Sequence, residues 1–229
     1  MKKIVVLTGA GVSAESGIRT FRDSGGLWEE HDIYEVASPM GWAKDMELVL
    51  NFYNQRRRQL KDVQPNAAHT ALAKLEKKYE VKIITQNVDN LHERGGSTDI
   101  LHLHGELTKA RSTADPNVVY EIGYNDINKG DLCEKGSQLR PHIVWFGEPV
   151  PLISEAAEIC ATADIFIVIG TSMVVYPAAG LIEHVPDVAE KYIIDPNKPV
   201  ISGYYRNLTF IEEKASVGTE KLVEDLLSS

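Results

Sequence analysis

Short apolar runs rich in β-branched residues recur along the chain: KIVVLT at 3–8, VKIITQ at 81–86, DILHLH at 99–104, HIVWFG at 142–147, DIFIVIG at 164–170, KYIID at 191–195 and NLTFIE at 207–212. Their apolarity is continuous rather than alternating, which suits strands covered on both faces. Helix-like stretches separate them. The pattern predicts an α/β fold, a Rossmann-like, doubly wound parallel sheet. Two stretches between the runs exceed an ordinary loop. Trp28 to Val63, rich in Trp, Tyr and charge, reads as mostly helical, whereas Thr108 to Arg140 has little periodicity. Together they predict a small lobe of about 28–63 and 108–140 beside a large lobe of about 1–27, 64–107 and 141–229, within one domain. The terminal TEKLVEDLLSS places Leu222, Val223, Leu226 and Leu227 on one helical face, a stripe made for core packing.

Composition narrows the classes. With 229 residues, 43% of them hydrophobic, the chain can bury a substantial core. A formal net charge of −9 disfavours nucleic acid as a partner. No apolar run approaches a membrane span. Only Cys133 and Cys160 are present, too few for a disulfide framework. Three residues precede the apolar run Ile4 to Leu7, which leaves no room there for a targeting segment, and a cytoplasmic setting is expected.

The candidate chemistry follows the strands. VVLT passes directly into Gly9-Ala10-Gly11-Val12-Ser13-Ala14, a G-x-G-x-x-A pattern in which glycines permit a sharp turn and close approach to a pyrophosphate at a helix N-terminus. The acidic residue that a dehydrogenase carries at the end of its second strand is not in place; Asp23 falls just before the insertion and Glu29 and Glu30 inside it. Hydride transfer loses support. In an open α/β sheet, ligands gather beyond the carboxyl ends of strands, where Gln86, Asn87, Asp89, His104, Gly170, Thr171 and Ser172 would converge. Each has a plainer reading: Asn87 and Asp89 as helix caps, Gly170 to Ser172 as a turn, His104 as a structural histidine. His102 would share the strand face of His104 if the extended run continued.

Taken in order, GAGVSAESGIRTFR, TQNVDNLHERGG, HLHGEL, RPHIVWFGEPVP and GTSMVVYPA resemble the sirtuins, the NAD-dependent protein lysine deacylases, over nearly the whole chain. The resemblance implies NAD held between the two lobes. Gly9 to Trp28 would wrap it, with Ala10, Phe21 and Arg22 near the nicotinamide, and Gln86, Asn87 and Asp89 around its ribose. Gly170, Thr171, Ser172 and Ala215 would lie on the adenosine side, where Ile194-Asp195 replaces a frequent Ile-Asn. His104 matches the catalytic histidine. In the implied mechanism the acyl oxygen attacks the nicotinamide-ribose carbon, nicotinamide leaves, and an alkylimidate forms. His104 then deprotonates a ribose hydroxyl, which attacks the imidate carbon, and water completes release of free lysine and O-acyl-ADP-ribose. Segments 144–151 and 173–177 resemble those that hold an extended substrate peptide, which implies contacts at Gly147 and Glu148 and an acyl-lysine tunnel lined by Phe146 and Val175.

FYNQRRRQL, Phe52 to Leu60, resembles the sirtuin branch that removes acidic acyl groups. Tyr53 and Arg56 share a helix face. The resemblance implies that they clamp the distal carboxylate of a succinyl or malonyl group. Arg57 and Arg58 point elsewhere and are expected to be solvated surface charges. One departure is substantial: most sirtuins hold a structural zinc with two C-x-x-C pairs, and here the insertion has Cys133 alone. A closed tetrahedral site needs four ligands, so no zinc is expected. Protein mono-ADP-ribosyl transfer and a non-catalytic NAD or ADP-ribose binding module are the competing readings.

Overall fold

The computed structural model describes residues 1–18, 27–28, 31–199 and 203–228. In chain order it forms β1 (Lys3–Thr8), α1 (Ala10–Ala14), β2 (Leu27–Trp28), β3 (His31–Asp32), α2 (Ile33–Val36), α3 (Pro39–Lys44), α4 (Met46–Asp62), α5 (Ala67–Leu75), β4 (Glu80–Thr85), α6 (Leu91–Arg94) and β5 (Ile100–His102). There follow β6 (Gly105–Ser112), β7 (Val119–Glu121), β8 (Leu139–Ile143), α7 (Ile153–Cys160), β9 (Ile165–Ile169), a 3₁₀ helix (Ala178–His184), β10 (Glu190–Ile194), β11 (Leu208–Ile211) and α8 (Ala215–Ser228).

Six strands form a parallel sheet in the order β11-β10-β9-β1-β4-β5. Renumbered within the sheet this is 6-5-4-1-2-3, the doubly wound order of dinucleotide-binding folds, with its switch point between β1 and β9. Alternation along β1 explains the two layers. Ile4 and Val6 pack with α5 and α8, while Val5 and Leu7 pack with α7 and the 3₁₀ helix. The terminal stripe behaves as expected: Leu222, Val223 and Leu226 are buried and Leu227 packs against the same core.

One expected strand belongs elsewhere. The HIVWFG run contributes to β8, which pairs antiparallel with β6 in a separate sheet ordered β7-β6-β8. An apolar run reports burial and carries no information on direction or sheet identity. Pro141 is the missed signal, because proline lacks an N–H and is confined to edge strands, which β8 is. The weakly periodic stretch from Thr108 also contains structure, since it opens inside β6 and includes β7. The helical reading of the first insertion holds: α4 is capped by Asp45, which accepts from Leu48 N at 2.9 Å, and buries Val49, Phe52, Tyr53 and Leu60 against Leu107, Ile143 and Trp145.

A small polar knot closes the end of this second sheet. Ser112 Oγ accepts the N–H groups of Ala114 and Asp115 at 3.1 and 3.3 Å and the Cys133 thiol at 3.5 Å. Cys133 N in turn donates to Ser137 O at 2.8 Å.

Lys191 is another internal fastener. It is 2% exposed, and its ammonium faces the carbonyls of Pro186, Asp187, Ala189 and Arg206 at 2.8–3.4 Å, tying β10 to the turns on either side. Lys191→Met preserves bulk but strands these acceptors. Denaturant titration is expected to show a loss of roughly 2–3 kcal/mol in unfolding free energy, and an unchanged midpoint would remove the fastener role.

Candidate active site

The two turns at the switch point touch backbone to backbone. Gly9 N donates to Ile169 O at 3.0 Å and Gly11 N to Gly170 O at 2.8 Å. A Cβ on Gly11 would stand 2.7 Å from Gly170 Cα, and one on Gly170, at φ +60°, would stand 2.4 Å from Val12 N. These glycines therefore serve contact between the turns themselves before any phosphate is considered. Ala10 and Ala14 bound α1, and Ala215 is the buried first residue of α8, whose Ser216 is bonded by Glu15.

Over these turns the exit of β4 lays down a polar network. Asn87 Nδ2 donates to Gly9 O and Ser13 Oγ, both at 3.1 Å, and Ser13 Oγ donates to Asp89 Oδ2 at 2.9 Å. The other Asp89 oxygen accepts Leu91 N, the first amide of α6, at 3.1 Å, one residue ahead of the N-cap position held by Asn90. Burial raises the Asp89 carboxyl above its usual range, with the Leu91 N–H and Ser13 hydroxyl opposing. Gln86 Nε2 reaches Thr171 Oγ1 at 3.2 Å, bridging the β4 and β9 exits, while Ser172 beside it is half-buried. Asp195 is buried and accepts Asn197 N at 2.9 Å. Phe21 and Arg22 lie outside the described residues. Trp28 is placed by backbone only, opposite His31.

His104 stands at the meeting point of both sheets. The chain leaves β5 in a turn at Leu103 and His104, so the extended run that would give His102 and His104 one face stops short. His102 Nε2 bonds Glu93 Oε1 at 2.6 Å, whereas His104 Nδ1 lies 3.0 Å from Gln86 O. A carbonyl only accepts, so Nδ1 carries the proton and Nε2 presents its lone pair. Burial lowers the affinity of His104 for a second proton, and the Gln86 carbonyl restores part of it. Its own carbonyl accepts Val144 N at 2.9 Å, which starts the segment Val144 to Glu148 from the histidine.

That segment is stiffened by buried charge. Glu148 accepts from Arg140 at 2.7 and 3.1 Å, from Arg111 at 3.2 Å and from Trp145 N at 2.8 Å. Burial pushes the Glu148 carboxyl up, but the Arg140 bond, the Trp145 N–H and the two guanidinium charges outweigh it and hold it below its usual range. Arg140 also stacks 3.2 Å over the Trp145 ring. Phe146 N is fixed to Ala37 O at 2.9 Å, its ring is exposed near Tyr34, and Gly147 turns the chain at φ +90°. Val174, Val175 and Tyr176 are exposed as well.

The indole N–H of Trp145 donates to Tyr53 Oη at 3.0 Å, which places the α4 tyrosine wholly inside the protein. Burial raises its hydroxyl well above the usual tyrosine range. Arg56 is half-buried, its guanidinium carbon 5.2 Å from the Phe52 ring centre. Arg58 is a surface charge paired with Asp126, as expected. Arg57 is not. It is 0% exposed, because residue 57 lies one turn after Tyr53 and shares its inward face.

Sequence reasoning missed what lies beneath. Thr8 Oγ1 donates to Thr85 Oγ1 at 2.8 Å and meets His92 Nε2 at 3.0 Å. The His92 ring sits 4.9 Å from that of His69, which accepts Asn66 N and completes a capping box on α5. Nothing in the spacing of single Thr and His residues signals such a chain. Glu93, His102 and Glu106 bring possible ligand atoms within 4.8 Å of one another, a grouping accounted for by the Glu93–His102 and Lys109–Glu106 pairs.

Residues 9–177 match the Sir2 family model. The chain belongs to the Sir2 family. Sir2 relatives include an NAD-dependent protein deacylase of Helicobacter pylori J99, 57% identical over 99% of this chain and 96% of that protein. Another, from Bacteroides thetaiotaomicron, is 53% identical over 99% of each. Among solved Sir2 structures, a Sir2 homologue in complex with NAD superposes with a TM-score of 0.88 at 41% identity, covering 99% of this chain and 90% of the other. A mutant Sir2 homologue bound to ADP ribose gives 0.89 at 41% identity, covering 99% and 94%. The Rossmann-like fold expected from the apolar runs is thus the fold of the family.

The histidine pair generates a pH prediction. Burial holds His69 near pH 4 and His92 well below 6.5, so between about 6.5, where an unfolded imidazole titrates, and 4 the folded chain binds fewer protons. That contribution to stability is complete above about pH 6.5 and is lost as pH falls. His102 has the opposite sign: burial lowers its affinity, but Glu93 overrides it and raises the net value. Its contribution is present at low pH and lost as pH rises through its folded value. His69→Gln, which can still accept Asn66 N, is expected to flatten the decline in unfolding free energy between pH 6.5 and 4.5. An unchanged slope would clear His69 of responsibility.

Proposed function

We infer that this chain is an NAD-dependent protein deacylase, acting on acylated lysine side chains and accepting acyl groups that end in a carboxylate, succinyl or malonyl, as well as acetyl. The observation that carries the enzymatic reading is the His104 imidazole, held as a neutral base by Gln86 O at the switch crevice. The crevice offers hydroxyls, amides and a carboxylate from Ser13, Gln86, Asn87, Asp89 and Thr171. Such a donor set fits the ribose and amide groups of NAD. When bound, NAD supplies the ribose carbon that accepts the acyl oxygen as nicotinamide departs.

The protein's own part is positional. Gln86 fixes the tautomer of His104, so Nε2 can take the proton of a ribose hydroxyl without first losing one of its own. Ser13, Asn87 and Asp89 anchor the loop that carries Gln86 to the glycine turn. Exposed Phe146 and Val175 suit the flanks of an extended peptide, with Gly147 leaving room for its backbone and Glu148 bracing the segment from beneath. A cytoplasmic setting accords with protein substrates, and no described helix is long and apolar enough to cross a membrane.

Tyr53 supports the acidic-acyl reading. An indole N–H only donates, so Tyr53 accepts from Trp145 through an oxygen lone pair. With Arg56 on the same helix, a hydroxyl and a guanidinium fork suit the distal carboxylate.

The reading extends to the metal. The donors around Cys133 do not fit a closed zinc site: the thiol's partner is a serine hydroxyl already accepting two backbone N–H groups. The Ser112 knot takes over the task of closing the small sheet.

NAD-dependent turnover should be detectable on acetyl- and succinyl-lysine peptides, yielding O-acyl-ADP-ribose. His104→Ala is expected to lower it by about 10²–10⁴-fold in a folded protein, and retained turnover would remove His104 from the mechanism. Tyr53→Phe and Arg56→Met should reduce the succinyl-to-acetyl ratio of kcat/KM about tenfold or more. Radiolabel transferred to protein in place of O-acyl-ADP-ribose would favour ADP-ribosyl transfer. For the metal, purified protein should contain far less than one zinc per chain and keep its melting temperature in chelator, while Ser112→Ala costs about 1–2 kcal/mol. Stoichiometric zinc would contradict this.

A further inference from the structure

Arg57 is the largest wholly buried side chain of the described residues, and nothing in the chemistry above uses it. A guanidinium carries five N–H donors in a fixed fork. Here Nη1 donates to Asn54 Oδ1 at 2.6 Å, while Nε and Nη2 have no acceptor among the described residues. Asn54 cannot shift to serve them, because Ile127 holds both ends of its amide: Nδ2 donates to Ile127 O and Oδ1 accepts Ile127 N, each at 2.9 Å. Asp126, one residue along, is engaged from outside by Nε and Nη2 of Arg58. Arg57 is thus a desolvated cation with idle donors and a counter-charge, Asp126, that it shares with Arg58, an arrangement that is costly unless something else helps balance it.

Its place in the helix says what that is. Tyr53 is four residues earlier on the same face, and the two groups feel one another's charge. Burial drives the Arg57 pKa down to about 10, with Asp126 and then Tyr53 pulling it back. The Tyr53 hydroxyl thus sits among charges that water screens poorly, the Arg140 and Glu148 pair on the Trp145 side and Arg57 one turn along α4, with the cations in excess.

We propose that Arg57 is a specificity-determining residue of the acyl site, whose buried charge one turn behind Tyr53 favours acyl-lysines ending in a carboxylate over neutral ones. This rests on the acidic-acyl reading of Tyr53 and Arg56. Arg57 acts through potential at the position Tyr53 defines, and the carboxylate in turn offsets the buried cation.

The test compares Arg57→Gln, which removes the charge but keeps an amide able to donate to Asn54, with Arg57→Lys, which keeps the charge. On matched succinyl- and acetyl-lysine peptides, Arg57→Gln should lower the succinyl-to-acetyl ratio of kcat/KM about tenfold, mainly through a higher KM for the succinyl peptide, while Arg57→Lys holds the ratio within about threefold. Asp126→Asn, a more accessible change, removes the competing negative charge and should raise the ratio. A constant ratio in Arg57→Gln, or an equal loss of both activities with a lower melting temperature in both Arg57 variants, would show a structural arginine and overturn the proposal. Should Arg57→Gln not fold, a constant or lower ratio in Asp126→Asn would overturn it alone. A parent enzyme without succinyl turnover would instead remove the acidic-acyl reading and this proposal with it.

Discussion

Backbone contact between two turns governs this molecule. Gly11 N on Gly170 O holds the exits of β1 and β9 against each other, and no side chain fits between them. Everything in the crevice is referenced to that contact. Asn87 reads it through the Gly9 carbonyl, Ser13 sits one helical turn beyond it, and Gln86 spans from β4 to Thr171 beside it. Backbone at this separation cannot breathe as a side-chain contact can, so the polar groups above it inherit its precision.

The parallel sheet was legible because its strands are buried on both faces and leave long β-branched runs. The crevice residues were legible because ligand sites follow strand ends, and because five ordered motifs mark the family. What stayed hidden were properties of a residue's neighbours rather than of its type. HIVWFG reads as one more buried strand, yet it enters a different sheet by an edge that Pro141 betrays. Arg57 reads as the middle of a solvated triplet, since charge argues for water; helical phase, set by Tyr53, overrules it. The Thr85–Thr8–His92 chain joins β1 to β4 and α6 across more than seventy residues, each member locally unremarked.

Buried charge is used differently at Glu148 and at Arg57. Around Glu148, two arginines and a backbone N–H satisfy the carboxylate, and the product is a rigid segment from Trp145 onward. Around Arg57 the donors outnumber the acceptors. The first arrangement is complete in the protein alone, and such networks specify geometry. The second is incomplete in the same sense that a binding site is.

His104 makes two backbone-directed bonds of different origin: its ring reaches the exit of the parallel sheet, and its carbonyl holds the first residue after the antiparallel one. The histidine is therefore a fulcrum. Should the smaller sheet tilt against the larger as a peptide enters, the lever arm is shortest at this residue and grows toward Gly147 and beyond. Displacement would then be least at the His104 ring, tied to Gln86 O, and the braced segment after Val144 would move as one piece.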